Sequence, residues 1–246
     1  LCQTRNERRT RGIYRGIGLA SIVEVTNPSP LFYGAGGAPI SAQDGATVRL
    51  DANGTVHVSS SITEQGQGTE TILAQIAAQA LGVAIEQVKV TTGDTRTTPY
   101  GGGTWASRGA GIGGEALLQA ATALRSQVLE VAATVLEASA REMQITDGVV
   151  AVEGTDVQIS LRELGELVYF RAHELPGELK PEFIATRHYR VRDFPFVFTN
   201  GAMASYVEVD IETGMVTMLD HWIVEDCGTI INQKLVDEQI RGGVVQ

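Results

Sequence analysis

A chain of 246 residues, 43% of them hydrophobic, is long enough to bury a core, as one large domain or two small ones. Its formal net charge of −10 argues against nucleic acid, whose phosphates the overall field would repel. No apolar run approaches the roughly 18–20 residues that span a bilayer, and no charged-then-apolar leader marks a secretory signal.

Residues 1–30 read as a basic amphipathic segment, a strand over Ile17–Val25 and a turn at Asn27-Pro28. The cluster Arg5, Arg8, Arg9, Arg11 and Arg15 fits a solvated helix end, with a phosphate or partner contact as the alternative. Gly34-Ala35-Gly36-Gly37 has the chemistry of a flexible linker. Apolar and polar residues alternate over Ala46–Leu50 and Thr55–Ser59 around Asp51-Ala52-Asn53-Gly54, which predicts a hairpin. A helix over Thr69–Leu81 follows, with Ile72, Leu73, Ile76 and Ala80 on its apolar face and Gly82 as its stop. Val88–Thr92 is a short strand. The longest helix should run from about Arg108 to Arg141, because Leu117, Ala121, Leu124, Val128, Val131 and Val135 recur every three or four residues. A strand pair, Val149–Val152 and Asp156–Ile159, turns at Glu153-Gly154. Ser160 caps a helix to about Phe170, with Glu163 completing a capping box. After a loop over 171–182 come strands Phe183–Tyr189, Ala202–Asp210 and Met215–Val224, the last two joined at Glu212-Thr213-Gly214. A helix from about Lys234 closes the chain. This mixed order of strands, helices and hairpins predicts an α+β fold, mixed sheets with packed helices, rather than a doubly wound parallel sheet.

Cys2 and Cys227 are too few and too distant for a disulfide framework, which makes a reducing cytoplasmic compartment the default. With no His beside it in sequence, Cys227 reads as a buried structural thiol rather than a nucleophile. His57, His173, His188 and His221 lack the spacing of a zinc site.

Three segments are hard to explain by packing alone. Thr63-Glu64-Gln65-Gly66-Gln67-Gly68-Thr69 joins a strand to a helix; glycines admit close backbone approach, two glutamine amides add uncharged donors, and the helix start favours an anion. An ordinary capped turn is the alternative. Tyr100-Gly101-Gly102-Gly103-Thr104-Trp105-Ala106-Ser107-Arg108-Gly109 leads into the long helix, where each further glycine costs roughly 1 kcal/mol of helix stability. A phosphate approaching the exposed N–H groups would offset that, as would simple packing against neighbouring backbone. The run follows a loop and lacks Gly-Lys-Ser/Thr, so neither a dinucleotide fingerprint nor a Walker loop fits. The third segment, Glu225-Asp226-Cys227-Gly228-Thr229-Ile230-Ile231-Asn232, enters the final helix, where Asn232 could be a plain cap and Gln239 sits beside the apolar stripe.

Gln65-Gly66-Gln67-Gly68, Tyr100 through Arg108, Asp226-Cys227-Gly228 with Ile231-Asn232, and Val236-Asp237 with Gln239 and Gly242-Gly243 resemble, in order and spacing, the xanthine dehydrogenase and aldehyde oxidase family. Arg15-Gly16-Ile17-Gly18-Leu19-Ala20 adds a segment similar to large subunits of aerobic carbon monoxide dehydrogenases. The resemblance implies a molybdenum–molybdopterin cofactor, in bacteria often the cytosine dinucleotide. It also implies oxidation of an aldehyde, an N-heterocycle or carbon monoxide with water as oxygen source. Electrons would leave through [2Fe–2S] clusters and FAD on partner subunits or domains, in an oligomer of heterotrimers. On this mapping Gln67 approaches the molybdenum oxo group. Gln65, Gly66 and Gly68 complete its loop, Thr104, Ala106, Ser107 and Arg108 line the cofactor with backbone N–H groups, and Gln239 binds the pterin. Residues 1–40 would then end a preceding subdomain and linker, with 41–246 forming the molybdopterin-binding domain.

The resemblance implies that the family's catalytic glutamate would lie in a segment beyond Gln246, and that neither Glu115 nor Glu238 takes its role. Gln233 stands where many relatives carry proline. Because the chain starts at Leu1 and stops inside a predicted helix, a fragment inactive by itself is expected. A non-catalytic interaction domain with glycine-rich partner loops is the competing reading.

Overall fold

The computed structural model describes every residue except 1, 38, 178, 180, 181 and 193–196, with backbone alone at 2–5 and 35. The side chains of Cys2 and Arg5 therefore lie outside the described set. In chain order the elements run α1 (Cys2–Arg9), β1 (Ile13–Thr26), α2 (Pro30–Gly36), β2 (Asp44–Leu50) and β3 (Val56–Ser60). Next come α3 (Thr69–Leu81), β4 (Val88–Thr91), α4 (Gly114–Val135), β5 (Met143–Thr146) and β6 (Val149–Val152). Last are β7 (Gln158–Ser160), α5 (Leu161–Phe170), β8 (Ile184–Tyr189), β9 (Val197–Asp210), β10 (Val216–Asp226) and α6 (Gln233–Val245). The mixture is α+β. By proximity the elements sort into two compact units, Leu1–Thr26 with Val197–Ile230, and Asn27–Phe196 with Ile231–Gln246.

The first unit is a three-stranded sheet in the order β1-β9-β10. β1 and β9 pair antiparallel from Ile13↔Asp210 to Thr26↔Val197, so both are longer than the hydropathy pattern suggests. Most of β1 is exposed, and the alternation that marks a half-buried strand is missing; pairing, not packing, sets its ends. Arg8 and Arg15 each donate to Glu208 Oε2 at 2.6 Å, and Arg9 lies over the Tyr14 ring. The arginine cluster is thus partly internal ion pairing rather than only a solvated helix end. Hydrogen bonding from Arg15, more than the charge of Arg8, holds the Glu208 carboxyl below its ordinary range. Cys227, expected as a buried thiol, is instead exposed: it follows the end of β10 in a turn where the Asp226 carboxylate accepts from the Gly228 N–H.

In the second unit β3 pairs in parallel with β4, and β2 pairs antiparallel with β3 and β8, giving the order β4-β3-β2-β8. The hairpin between β2 and β3 closes through Gly54 N–H to Asp51 O at 3.0 Å. Ala46, Val48, Leu50, Val56 and Val58 point to one face and are at most 1% exposed. α3 lays Leu73, Ala77 and Leu81 in this core, and α4 lays Leu117, Ala121, Leu124, Val128 and Val131 there. Burying each such Leu or Val stabilises by roughly 1.5–3 kcal/mol. The parallel β3–α3–β4 crossover matters for function, because it puts the β3–α3 loop at the carboxyl ends of its strands, where open sheets bind ligands. A second sheet, β5-β6-β7, and α5 complete the unit. The Ser160–Glu163 capping box forms as predicted.

Two further expectations need correction. Gly34–Gly37 is no linker: Ser29 caps α2 by accepting from Leu31 N, Pro30 opens it and Gly37 ends it in the left-handed region, leaving Tyr33 buried. The long helix is shorter than the expected span of about Arg108 to Arg141, and ends where its apolar stripe ends. It begins as a π turn over Gly109–Gly113 and stops at Val135. Glu137 then adopts φ 50°, and Ser139 caps a short turn into β5, a strand the sequence pattern hides.

Candidate functional site

All the residues singled out for cofactor contact lie in the second unit. The β3–α3 loop is organised by Glu64. Its Oε1 accepts from the backbone N–H groups of Gln65 (3.1 Å), Gly66 (2.7 Å) and Gly68 (3.1 Å). Its Oε2 accepts from Glu70 N at 3.0 Å, in the first turn of α3. Desolvation by itself would raise the Glu64 pKa, but these four donors outweigh it and hold the carboxyl below its ordinary range. The expectation that this helix start awaits an external anion is therefore revised: its anion is already supplied by the chain.

The glutamine side chains of the loop are the groups still open to a ligand. Gln67 Oε1 accepts from Gln65 N at 2.7 Å, and Nε2 donates one N–H to Thr63 O at 3.4 Å, leaving the other free. Gln65 Nε2 reaches across to Thr104 O at 3.2 Å. Thr63 and Thr104 bond reciprocally, Thr63 N to Thr104 Oγ1 at 2.8 Å and Thr104 Oγ1 to Thr63 O at 2.7 Å. Two segments forty residues apart are thus joined into one surface.

Behind the 100–108 loop lies a buried ion pair. Asp44 Oδ1 accepts from Gly102 N (3.0 Å), Gly103 N (3.2 Å) and Ser61 Oγ (2.8 Å). Asp44 Oδ2 accepts from Arg108 Nε at 2.8 Å and from Arg108 Nη2. The remaining guanidinium donors go to Tyr33 Oη, Ser41 O and Gln43 O, so all five are used and the side chain is 0% exposed. Burial, partly offset by Arg108, raises the Tyr33 pKa. Trp105 closes the arrangement, its ring 5.1 Å from that of Tyr33 and 5.9 Å from the Arg108 guanidinium. A Cβ at Gly101 would collide with Ser61 and Asp44, and one at Gly102 with Ser41 O and Arg108. These two glycines are explained by close packing around the ion pair; no phosphate is needed to account for them.

What the loop presents outward is its middle. Among the described residues, the N–H groups of Thr104, Trp105, Ala106 and Ser107 have no protein acceptor. Ala106 and Ser107 are held at φ 50° and 49°, a region that costs a non-glycine residue about 1–3 kcal/mol. N–H groups without an acceptor on four successive residues are donors available to phosphate oxygens.

α6 is seated on the start of α3. Asn232 is indeed a cap, accepting from Leu235 N at 3.1 Å, but its amide also donates to Gln75 Oε1 at 2.9 Å. Gly68 packs against the end of the Leu235 side chain and adopts φ 86°, a conformation that favours glycine. Gln239 lies four residues beyond Leu235 and hence on the same face, one turn further along; its side chain is exposed. The structure therefore joins Gln65, Gln67 and Thr104 directly, sets the helix of Gln239 against Gly68, and places the Arg108 side chain behind the loop rather than on its surface.

Sequence reasoning missed Asp44, Glu64, Tyr33 and Ser61. Glu64 had a readable signal, an acidic residue just before a helix start. Asp44 had none, since its partner is 64 positions away. Among the described residues, no group of three His, Cys, Asp or Glu side chains is placed to hold a metal ion, and no helix is long and apolar enough to cross a membrane.

A family model described as a molybdopterin cofactor-binding domain matches residues 2–246. The nicotine 6-hydroxylase large subunit of Paenarthrobacter nicotinovorans is 38% identical over 242 residues, covering 98% of this chain and 29% of that protein. The carbon monoxide dehydrogenase large chain of Hydrogenophaga pseudoflava is 30% identical over 235 residues, covering 94% of this chain and 28% of that protein. Among solved structures, the quinoline 2-oxidoreductase from Pseudomonas putida 86 aligns with a TM-score of 0.87 at 39% identity, covering 100% of this chain and 31% of that one. The chain spans less than a third of the length of each of these relatives.

Proposed function

Because the chain belongs to the molybdopterin cofactor-binding domain family, we propose that it holds the pterin cofactor in the large subunit of a molybdenum hydroxylase. The observation that carries this reading is the surface made by the two glycine loops, where the Gln65 and Gln67 amides adjoin the unpartnered N–H groups of residues 104–107. Uncharged amides and bare N–H groups fit a polar, phosphate-bearing pterin; metal ligation would fall to the sulfurs of the cofactor.

In this reading Gln67 points its free amide N–H toward the metal end of the cofactor, and Gln65 fixes the seam beside it. Gly66 and Gly68 let backbone and α6 approach. Thr104, Ala106 and Ser107 bind phosphate oxygens through their N–H groups, and Gln239 holds the pterin from α6. Arg108 contributes through the loop it anchors, not through direct contact. When bound, the cofactor, in its cytosine dinucleotide form, supplies the redox centre at which the substrate is oxidised with water as oxygen source. The substrate class is an N-heteroaromatic compound. Its support is that the relatives named for nicotine and quinoline reach 38% and 39% identity, against 30% for the carbon monoxide enzyme. [2Fe–2S] and FAD partner subunits carry electrons away, in a cytoplasmic complex.

The test is Gln67→Ala and Gln239→Ala in the intact large subunit with its partners. Losing a hydrogen bond to a charged group weakens binding by about 1.5–3 kcal/mol, roughly 10- to 100-fold in affinity. Molybdenum and pterin content per protein should fall in both variants. Unchanged content in both overturns the assignment.

A further inference from the structure

Asp44 and Arg108 form the one ion pair, among the described residues, with both side chains wholly buried. Such a pair is weak support for stability, because desolvation offsets much of the attraction. Its geometry has another consequence. One oxygen of Asp44 fastens the N–H groups of Gly102 and Gly103, and the other fastens the Arg108 side chain. Both ends of the segment 102–108 are therefore tied to a single carboxylate. Arg108 in turn is tied to the carbonyls of Ser41 and Gln43, just ahead of β2.

Between those fastenings stand the N–H groups of residues 104–107 and the two positive-φ residues Ala106 and Ser107. A free loop would relax to negative φ and scatter those N–H groups. Here the loop's ends cannot move without breaking charge-assisted hydrogen bonds in a dry interior, and the Asn27 N–H bonded to Ala106 O at 3.3 Å holds its middle.

We propose that Asp44 and Arg108 are positioning residues for the cofactor: without touching it, they hold Thr104–Ser107 in the conformation that offers its N–H groups to phosphate. This rests on the cofactor-binding function proposed above. The planar guanidinium is essential to it. A lysine has three donors on a point charge and cannot serve Asp44, Tyr33, Ser41 and Gln43 together.

The experiment compares Asp44→Asn, Arg108→Lys and Gln67→Ala with the unaltered protein, each as the intact large subunit in its complex. Amide hydrogen exchange is followed in peptides covering 100–108, with 69–81 and 143–152 as controls for the fold. Molybdenum and pterin are measured per folded protein. In the two ion-pair variants, compared with the unaltered protein in cofactor-free form, exchange at Gly102, Gly103 and Arg108 should accelerate at least about tenfold while the controls stay protected, and cofactor content should fall. Unchanged exchange in 100–108 overturns the proposal, and so does a loosened loop that retains full cofactor. Gln67→Ala should lower cofactor content, yet in cofactor-free protein its Gly102, Gly103 and Arg108 N–H groups, whose acceptors lie within the chain, should keep their normal protection. If all three variants keep their cofactor, the function itself fails; if only the ion-pair variants keep it, the positioning role alone fails. Should Asp44→Asn not fold, Ser61→Ala removes one donor to Asp44 and spares the ion pair. It should produce a smaller acceleration confined to 100–108, and none at all counts against the proposal.

Discussion

Glu64→Gln tests whether the carboxylate organises the β3–α3 loop. An amide has one carbonyl oxygen. If that oxygen keeps the three donors Gln65, Gly66 and Gly68, its NH2 must face the Glu70 N–H, and the fourth bond becomes a donor–donor clash. Charge-assisted character is lost at the other three. A hydrogen bond to a charged group contributes about 1.5–3 kcal/mol, and the partial exposure of this loop reduces that to roughly 1–2 kcal/mol. That corresponds to local opening about 5–30 times more frequent. Amide hydrogen exchange over residues 65–70 is the direct assay, in the intact protein. The pH dependence supplies a second readout. Because the folded pKa of Glu64 lies below its ordinary value of 4.5, its contribution is complete above that value and is lost as pH falls through the lower one. The Gln variant has no such titration, so its protection, corrected for intrinsic exchange rates, should lack this acid-dependent loss. Equal protection in the two proteins at neutral pH, with the same acid response, would refute the organising role.

Gly82→Ala should destabilise the second unit by roughly 2–4 kcal/mol, since φ is +72° there and a Cβ would collide with the Ile145 carbonyl oxygen; denaturant unfolding of the intact protein measures it. Leu124→Ala, which empties a fully buried position on α4, should cost about 2–5 kcal/mol by the same method, and a loss below 1 kcal/mol would mean the core had collapsed into the space.

The parts of this fold that were legible in sequence are those with local causes. α3 could be bounded at Thr69 and Leu81 because Gly82 supplies a left-handed stop, and α5 because Ser160 and Glu163 cap each other. The hairpin at 51–54 announced itself through Asn53-Gly54. What stayed hidden depends on distant partners. The parallel pairing of β3 with β4 is invisible in either strand, and β1 and β9 outrun their hydropathy because their ends are fixed by each other. The same division runs through the candidate site. Gln65, Gln67 and the 100–108 glycines stand out as residue types that packing explains poorly, but the reason for Gly101 is Asp44 and Ser61, and for Gly102 the Ser41 carbonyl and the Arg108 guanidinium.

That division bears on how the site would bind. Each glycine loop is wrapped around a carboxylate of its own chain, Glu64 in one and Asp44 in the other, and each carboxylate gathers backbone N–H groups that would otherwise face solvent. A loop that orders only when its ligand arrives spends part of the interaction on lost conformational freedom. Loops already ordered around internal anions avoid most of that cost. The N–H groups left over at 104–107, and the amides of Gln65 and Gln67, then meet a ligand with their geometry set in advance. Negative charge in a site for a phosphate-bearing ligand is self-defeating only if the carboxylates face it. Asp44 is wholly buried behind its loop, and both oxygens of Glu64 are taken up by backbone donors, so each acts as a template for the donors around it.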